Sequence, residues 1–246
     1  MEGADLIFTA KNLSFEYKDE KRTIFEDVNF EINKGEFVCF MGPNGSGKST
    51  LFQILEGFLK PINGSLEFEG KDLQDLLANE VSKKKFHQKV GILFQNVDTQ
   101  LFNSTVYDEI AFGPKQMNLS QDEIKQRVED CLDLFNLNSM RDSVPYNLSG
   151  GEKREVALAS VLALNPDVIL LDEPLVGLTR AKRSELIELF DRLHQAGKTI
   201  ILITHYFQQI KDVATDYLIF GNGEIVKKTG DELKADSELI HQVEEY

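Results

Sequence analysis

A stretch of nine residues in the first quarter of the chain combines three glycines with a lysine, two serines and a threonine. The stretch is Gly42-Pro-Asn-Gly-Ser-Gly-Lys48-Ser49-Thr50, and it follows a short apolar run from Glu36 to Met41. Glycines let successive backbone N–H groups turn toward one anion, because they adopt unusual φ/ψ values and carry no Cβ. A helix that begins near Lys48 adds unpaired N–H groups and the positive end of its dipole. The pattern therefore predicts a strand, a loop that binds phosphates and a helix.

The polar side chains of this loop have predicted parts in the binding of a nucleotide. Lys48 can reach the β- and γ-phosphates as a point charge, and the hydroxyl of Ser49 can ligate Mg²⁺. The residues predicted to bind nucleotide in this loop are Gly42, Asn44, Gly45, Ser46, Gly47, Lys48, Ser49 and Thr50.

Two carboxylates end another apolar run later in the chain. Val168 to Leu171 is followed directly by Asp172 and Glu173, which predicts a buried parallel strand with acids at its carboxyl edge. A carboxylate without a use is costly at such a buried place, so we expect both acids to take part in chemistry. Ser149-Gly150-Gly151 precedes an apolar helix and predicts a second anion site at a helix N-terminus. Ser149 is also a suitable residue to cap that helix.

The composition limits the function. The chain has 246 residues, 41 of them acidic and 27 basic, and its net charge of −14 argues against a general nucleic-acid-binding surface. Its length suits one α/β domain. Cys39 and Cys131 lack C-x-x-C spacing, which favours buried free thiols. The first five residues lack the basic region of a signal peptide, and the apolar runs are too short to cross a bilayer. We therefore expect a soluble, cytoplasmic protein.

The hydrophobic pattern predicts the elements of the first half. Residues 6–32 alternate apolar and polar side chains, which is typical of an antiparallel β layer with one solvated face. An apolar helix is predicted over 51–59, directly after the phosphate loop. Further strands are predicted at 64–70 and 89–94. From about residue 100 to 147 the chain is mostly polar, and its periodicity is helical.

The second half returns to alternating strands and helices. A capping box at Ser120–Glu123 predicts a helix inside the polar region. Further helices are predicted from Ser149 to about Leu164 and over 182–195, and a buried strand over 199–204. Gly221-Asn-Gly223 predicts the turn of a hairpin, and the acidic tail is predicted to be helical.

These motifs, in this order, resemble the ATPase subunit of ATP-binding cassette (ABC) proteins over about residues 5–230. The resemblance implies an α/β fold class with a P-loop NTPase core, a RecA-like, mostly parallel sheet, an N-terminal antiparallel β layer and an inserted helical lobe. The implied single ABC ATPase domain divides into the core at 5–96 and 166–230, the helical lobe at 97–165 and a short tail at 231–246.

The resemblance also assigns roles at the reacting end of the nucleotide, with ATP and Mg²⁺ as cofactors. Glu173 resembles the general base that activates the attacking water, and His205 resembles the switch histidine that contacts the γ-phosphate. Gln95 resembles a glutamine that contacts both Mg²⁺ and the water. The implied catalytic residues are Glu173, His205 and Gln95, and the implied Mg²⁺ ligands are Ser49, Gln95 and Asp172.

The resemblance further implies a dimer. Ser149-Gly150-Gly151 resembles the family signature, which closes over the γ-phosphate of an ATP held by a second ABC ATPase subunit, head to tail. Tyr17 matches the aromatic residue that stacks on adenine, with Phe15 as an alternative. Thr179 stands where the family has an aspartate that contacts the partner, in the segment called the D-loop. Threonine offers a hydroxyl but no charge, so we expect a heterodimer, with a homodimer as the alternative.

The segments Phe94–Phe102 and Thr105–Pro114 resemble one subgroup, the ATPases of energy-coupling factor (ECF) transporters, which include cobalt and nickel importers. This resemblance implies uptake of a vitamin or a transition-metal ion. The implied partners are a transmembrane coupling protein and a substrate-capture membrane protein, at the cytoplasmic face of the cell membrane. Asp98, Asp108 and Glu109 could then meet basic residues of the coupling protein, with a solvated loop as the alternative. An ABC ATPase of iron–sulfur cluster assembly is the alternative.

Overall fold

The computed structural model describes residues 5–17, 22–221 and 223–244. The predicted break at 18–20 and Asn222 of the predicted turn lie outside these residues. The strands are β1 (Leu6–Tyr17), β2 (Arg22–Asn33), β3 (Phe37–Met41), β4 (Asn63–Phe68), β5 (Lys71–Asp72), β6 (Val90–Leu93), β7 (Val168–Asp172), β8 (Thr199–Ile203), β9 (Asp216–Gly221) and β10 (Glu224–Thr229). The α-helices are α1 (Lys48–Leu55), α2 (Leu73–Ala78), α3 (Glu80–Lys89), α4 (Val106–Gln116), α5 (Gln121–Leu134), α6 (Gly150–Leu162), α7 (Arg180–Gln195), α8 (Phe207–Ile210), α9 (Gly230–Ala235) and α10 (Ser237–Glu244).

A four-stranded antiparallel sheet forms one layer, with the strand order β2-β1-β4-β5. Its aromatic side chains pack across neighbouring strands, and Phe8 lies opposite Phe68 in the register of β1 and β4. Polar residues such as Glu31 alternate with buried ones such as Phe30 and Ile32. The antiparallel N-terminal layer with one solvated face is therefore confirmed.

The second sheet has six strands in the order β10-β9-β3-β8-β7-β6. Only β10 runs antiparallel to its neighbour, so the sheet is mostly parallel, as predicted. Strand β3 is buried on both faces, with Cys39 toward the helical cluster and Phe40 toward the four-stranded layer. Because parallel strands end at one edge, the phosphate loop after β3, Asp172 at the end of β7 and His205 after β8 lie near one another.

Helices α4, α5 and α6 form the helical region between β6 and β7. Ser120 and Glu123 form the predicted capping box at the start of α5. The buried face of α5 carries Ile124, Val128 and Leu132, in the same apolar cluster as Leu171 of β7. The two cysteines are buried free thiols, as predicted. Among the described residues, no helix combines the length and apolar composition that a membrane span requires.

The helix after the phosphate loop is shorter than predicted. It ends at Leu55 rather than continuing to Leu59. Gly57 adopts a left-handed φ of 80°, and the N–H groups of Phe58 and Leu59 donate to the carbonyl of Gln53 at 2.9 and 3.1 Å. A turn at a glycine, and not a polar residue, thus ends the helix. The apolar run therefore continues beyond the last helical residue.

The glycine at the start of β4 gives a test of the packing between β1 and β4. Gly64 and Gly70 both have a φ of 73°. A Cβ at Gly64 would collide with the carbonyl oxygens of Lys11 and Asn12, whereas a Cβ at Gly70 meets none of the described atoms within 4 Å. Gly70→Ala should lower the free energy of unfolding by roughly 1–2 kcal/mol, the cost of the left-handed backbone for alanine.

Gly64→Ala should cost clearly more than Gly70→Ala, because the backbone of β1 must also move. Urea unfolding of both variants and the wild type measures the difference. Equal losses of stability in the two variants would contradict the close approach of the two strands.

Candidate active site

The phosphate loop lies between β3 and α1, and its glycines hold conformations that other residues avoid. Gly42 has a φ of 149°, and a Cβ there would lie 2.5 Å from the carbonyl oxygen of Phe220. Gly47 has a φ of 104° and precedes the first residue of α1. A Cβ on Gly47 would lie 2.6 Å from Cγ2 of Ile24. The path of the loop therefore requires glycine at both positions.

Lys48 is folded back across this loop. Its ammonium group donates to the carbonyl oxygens of Gly42 at 2.5 Å and Pro43 at 2.9 Å. Burial lowers the pKa of Lys48, while the nearby charges of Glu173 and Asp172 oppose that shift. The ammonium group of Lys48 thus lies beside the glycine loop, close to the place where phosphates would bind.

One cavity of about 370 Å³ opens over the loop and gathers most of the predicted site. The predicted residues that line it are Tyr17, Asn44, Gly45, Gly47, Lys48, Ser49, Thr50, Gln95, Asp172, Glu173 and His205. Gly42 and Ser46 lie in the loop without lining the cavity. The hydroxyl of Ser46 is buried and has no hydrogen-bond partner among the described residues.

Glu173 has the most constrained carboxylate in the cavity. Its backbone adopts a φ of 48°, and its N–H donates to the carbonyl of Ile203 at 3.1 Å. Oε1 lies 2.8 Å from Nε2 of His205, while the buried Oε2 has no hydrogen-bond partner among the described residues. Burial raises the pKa of Glu173, and the neighbouring His205 opposes this rise. The arrangement suits a base that keeps one oxygen available for a proton.

Tyr17 and Phe15 differ in their access to the cavity. Tyr17 lines the cavity with 37% of its surface exposed, and its hydroxyl lies 3.2 Å from Oγ1 of Thr50. Phe15 is 6% exposed and packs edge-on against Tyr17, with ring centroids 5.0 Å apart. Of these two rings, the ring of Tyr17 therefore borders the space over the phosphate loop.

Two arginines at the site were not predicted from the sequence. Arg154 of α6 donates from Nη1 to the carbonyls of Glu173 at 3.2 Å, Pro174 at 2.9 Å and Val176 at 2.7 Å, which fixes the chain just after β7. A signal existed, because Arg154 is a charged residue on an otherwise apolar face of α6. Arg22 lines the cavity and donates to the carbonyl of Gly45 at 3.1 Å, which no local pattern indicated.

The signature segment lies apart from this cavity. Ser149 caps α6 by accepting from the N–H of Glu152, whose carboxylate accepts in turn from the N–H of Ser149 at 2.8 Å. The capping function of Ser149 is thus present, and it explains why glutamate is suitable at 152. Ser149 and Gly151 line a second cavity of about 380 Å³ beside α7. The anion site at Ser149, Gly150 and Gly151 stays a prediction.

The acids after Gln95 are engaged within the chain. Glu109 is 3% exposed and accepts from the N–H groups of Phe102 at 2.9 Å and Asn103 at 2.8 Å. The prediction that Glu109 meets a partner is therefore wrong, because its carboxylate holds the chain's own loop. Asp98 pairs with Lys153 at 2.7 Å. Asp108 likewise pairs with Lys115 at 3.2 Å and accepts from the hydroxyl of Thr105.

The oxygen donors in the main cavity fit Mg²⁺. The described residues contain no cluster of three or more histidine, cysteine, aspartate or glutamate side chains that could hold a metal ion by themselves. The hydroxyl of Ser49, the amide of Gln95 and the carboxylate of Asp172 line the cavity beside the phosphate loop. Mg²⁺ prefers a few protein oxygens together with the phosphates of a substrate, so this donor set suits it.

A comparison with known protein families places the chain in one of them. The family model described as ABC transporter matches residues 25–176. The chain therefore belongs to the ABC transporter family, in which it is an ATP-binding, ATP-hydrolysing subunit.

Individual relatives show which members of the ABC transporter family this chain is similar to. The nickel import ATP-binding protein LarO of Lactiplantibacillus plantarum is 47% identical over 212 residues, which cover 86% of this chain and 87% of that protein. The energy-coupling factor transporter ATP-binding protein EcfA of Methanosphaera stadtmanae is 37% identical over 239 residues, covering 97% and 84%. The structure of cbiO1 from Clostridium perfringens, part of the ABC transporter complex cbiONQ, superposes with a TM-score of 0.83 at 33% identity, covering 97% and 94%. The predicted ABC ATPase fold is confirmed.

Glu56 gives a test of the electrostatics behind the site. It is 3% exposed at the end of α1, and burial, with a smaller contribution from Asp172, raises its pKa to about 8. The folded state therefore favours the protonated acid. This stability is fully present below the unfolded pKa of about 4.5 and is lost as the pH rises through about 8.

Glu56→Gln removes this titration while keeping the shape of the side chain. Between pH 5 and 8 the wild type should lose stability relative to the variant, by up to about 1.4 kcal/mol for each pH unit. Urea unfolding at several pH values measures the difference, with the exposed substitution Glu188→Gln as a matched control. If Glu56→Gln and the wild type changed in parallel with pH, the buried acid would not titrate as described.

Proposed function

We propose that this chain is the ATPase subunit of an ECF-type importer that takes up a vitamin or a transition-metal ion. The observation that carries the proposal is the single cavity in which Lys48, Glu173 and His205 meet over the phosphate loop. The importer part is supported by relatives that are named for nickel import and for energy-coupling factor transport. No feature of the site favours the alternative, an ATPase of iron–sulfur cluster assembly.

The nucleotide would lie along the cavity from Tyr17 to the start of α1. Adenine would stack on the exposed ring of Tyr17, since aromatic faces suit flat bases. The backbone N–H groups of Asn44 to Ser49 and the ammonium of Lys48 would hold the phosphates, with Thr50 beside them. Ser49, Gln95 and Asp172 would hold Mg²⁺, which supplies positive charge to the β- and γ-phosphate oxygens.

Hydrolysis would begin with a water molecule between Glu173 and the γ-phosphate. Oε2 of Glu173 accepts a proton from this water, whose oxygen attacks the γ-phosphorus while the bond to the β–γ bridging oxygen breaks. The products are ADP and inorganic phosphate. His205 would hold Oε1, so that Oε2 faces the water, and the raised pKa makes the carboxylate a better base. Gln95, which also lines the cavity, would help to orient the water.

A second ATPase subunit would complete the site. Ser149 and Gly151 line a cavity other than the one over the phosphate loop, so their predicted anion site would serve an ATP held by a partner. Thr179 accepts from the N–H of Lys182 at 3.4 Å and caps α7. It therefore keeps the capping function that aspartate also performs, and only the negative charge is lost. We favour a heterodimer with a related ATPase for this reason, with the homodimer as the other outcome.

An apolar groove of about 870 Å³ between α3 and α4 would receive the transmembrane coupling protein. Val81 is 66% exposed in this groove and Phe112 is 40% exposed. Phe102, also 66% exposed, stacks edge-on against Phe112 with ring centroids 4.9 Å apart. Exposed apolar side chains grouped in a groove suit an amphipathic helix. The rim carries Lys83 to Lys85, so acidic residues of the partner would match it.

This docking would place the chain at the cytoplasmic face of the cell membrane as a peripheral subunit. The substrate-capture membrane protein, rather than this chain, would select the vitamin or metal ion. Identification of the membrane proteins that co-purify with the chain would therefore test the importer assignment and indicate the substrate class.

Glu173→Gln should abolish most of the hydrolysis without loss of ATP binding. Glutamine keeps the shape of the side chain but cannot accept the proton, so the rate should fall roughly 10²–10⁴-fold. Steady-state phosphate release and equilibrium nucleotide binding measure the two effects. Lys48→Ala is the matched control, since it should weaken binding itself. Hydrolysis at a near wild-type rate by Glu173→Gln would remove Glu173 from the mechanism.

The same Glu173→Gln protein distinguishes a homodimer from a heterodimer. ATP that is not hydrolysed should stay between the two subunits and stabilise the dimer. Its molecular mass is measured in solution with ATP and Mg²⁺. A stable homodimer, together with brisk hydrolysis by the wild type and coupling protein alone, would contradict the heterodimer.

Phe112→Asp should prevent co-purification with the membrane partners while ATP hydrolysis by the isolated chain continues. A carboxylate in the groove would lose its hydration on docking, which opposes binding. Val226→Asp is the control, because Val226 is 46% exposed and lies outside the groove. Both variants are purified from solubilised membranes through a tag on this chain. Co-purification of Phe112→Asp at the wild-type level would contradict the docking surface.

A further inference from the structure

An arginine–tyrosine contact joins two segments that approach the active site from different sides. The guanidinium carbon of Arg183 lies 4.3 Å from the ring centroid of Tyr206. Arg183 belongs to the first turns of α7, which begins directly after Thr179. Tyr206 directly follows His205 and precedes the first residue of α8. The contact therefore connects the segment after β7 with the segment after β8.

The surroundings of Arg183 favour this contact over a simple solvated arginine. Its Nε is buried and has no hydrogen-bond partner among the described residues. A buried N–H without an acceptor is unfavourable unless another interaction compensates for it. The face of the Tyr206 ring offers that compensation, because it attracts a cation and stacks on the flat guanidinium.

The backbone around Tyr206 transmits its position to His205. The N–H of Tyr206 donates to Oγ1 of Thr204 at 3.1 Å, and its carbonyl accepts from the N–H of Gln209 at 2.9 Å. One residue earlier, Nε2 of His205 lies 2.8 Å from Oε1 of Glu173. A displacement of the Tyr206 ring would pull on this short segment and move the imidazole away from the carboxylate.

The other end of the contact lies one helical turn from the predicted partner-facing segment. The N–H of Arg183 donates to the carbonyl of Thr179 at 3.0 Å, within the first turn of α7. A helix turn is stiff, since its hydrogen bonds fix the spacing of residues four apart. A displacement of the chain at Thr179 should therefore move the guanidinium of Arg183 by a similar distance.

We propose that Arg183 and Tyr206 are positioning residues that hold His205 against Glu173 and connect its placement to the segment at Thr179. Neither residue lines the cavity over the phosphate loop, so both act through His205. The inference rests on the catalytic roles that the proposed function gives to His205 and Glu173. It adds a physical path by which a partner at Thr179 would influence hydrolysis in this subunit.

The contact is tested by removing the cation or the ring face separately. Arg183→Met and Tyr206→Leu should each lower kcat about tenfold or more, because a small misplacement of a catalytic group costs much rate. KM for ATP should stay within about twofold, since neither residue touches the nucleotide. Tyr206→Phe keeps the ring face and should hydrolyse ATP near the wild-type rate. Arg192→Met, on the same helix, is the control for loss of a charge.

The combination with His205→Ala shows whether the two residues act through the histidine. Once His205 is removed, Arg183→Met should cause no further loss of kcat, because effects on one shared path do not add. A second loss of the same factor would overturn the inference, as would a single Arg183→Met variant with kcat within about twofold of the wild type. Thermal unfolding of every variant shows whether a substitution has caused a general loss of structure. A general loss would change both kcat and KM, and it would do so in Tyr206→Phe as well.

The outcomes separate this inference from the proposed function. If His205→Ala and Glu173→Gln lost hydrolysis while Arg183→Met did not, the proposed function would stand and the positioning contact would be wrong. If His205→Ala hydrolysed ATP at the wild-type rate, the role of His205 would fail, and the contact would fail with it. All rates are measured on the purified full chain together with its co-purifying partners.

Discussion

The burial of the Glu173 carboxylate is the constraint on which the active site depends. A carboxylate at the end of a buried strand is unfavourable unless nearby groups hold it, and here one contact holds the carboxylate while two features fix the backbone that carries it. His205 contacts one oxygen, the backbone takes a left-handed conformation at Glu173, and Arg154 binds the carbonyls that follow. Each of these groups comes from a different element, so the site exists only when β7, β8 and α6 are assembled.

The net negative charge of the molecule opposes the binding of an anion, and the phosphate loop is the feature that counters this repulsion. A chain with a net charge of −14 must attract an anion more negative than any single residue. In the proposed binding mode, backbone dipoles, which add no net charge, would hold the phosphates together with Lys48 and Arg22, two cationic side chains that line the cavity. Burial lowers the pKa of Lys48, and the charges of Glu173 and Asp172 oppose that shift. Opposite charges thus stabilise each other before a substrate arrives.

Much of this site could be predicted from the sequence because its parts are local motifs. The phosphate loop needs its glycines at fixed spacing, and the acids after β7 follow a recognisable apolar run. The distant contacts could not be predicted in the same way. Glu109 looked like a surface acid because its role as an acceptor depends on a loop that folds over it. Arg154 and Arg22 reach carbonyls that only the tertiary structure brings near. The end of α1 was predicted too late because an apolar run hides a turn at Gly57.

The ion pair between Asp98 and Lys153 couples the movement of a loop to the movement of a helix. Asp98 lies in the segment between β6 and α4, and Lys153 lies in the first turns of α6, the helix that Ser149 caps. In the proposed head-to-tail pair of subunits, that helix would face the nucleotide of the neighbour rather than its own. A movement of the segment that carries Asp98 would then shift the helix beside the opposite nucleotide. If this segment also moved when the coupling protein docked, the ion pair would make hydrolysis at one site depend on the membrane contact of the other subunit, and the two sites would not act independently.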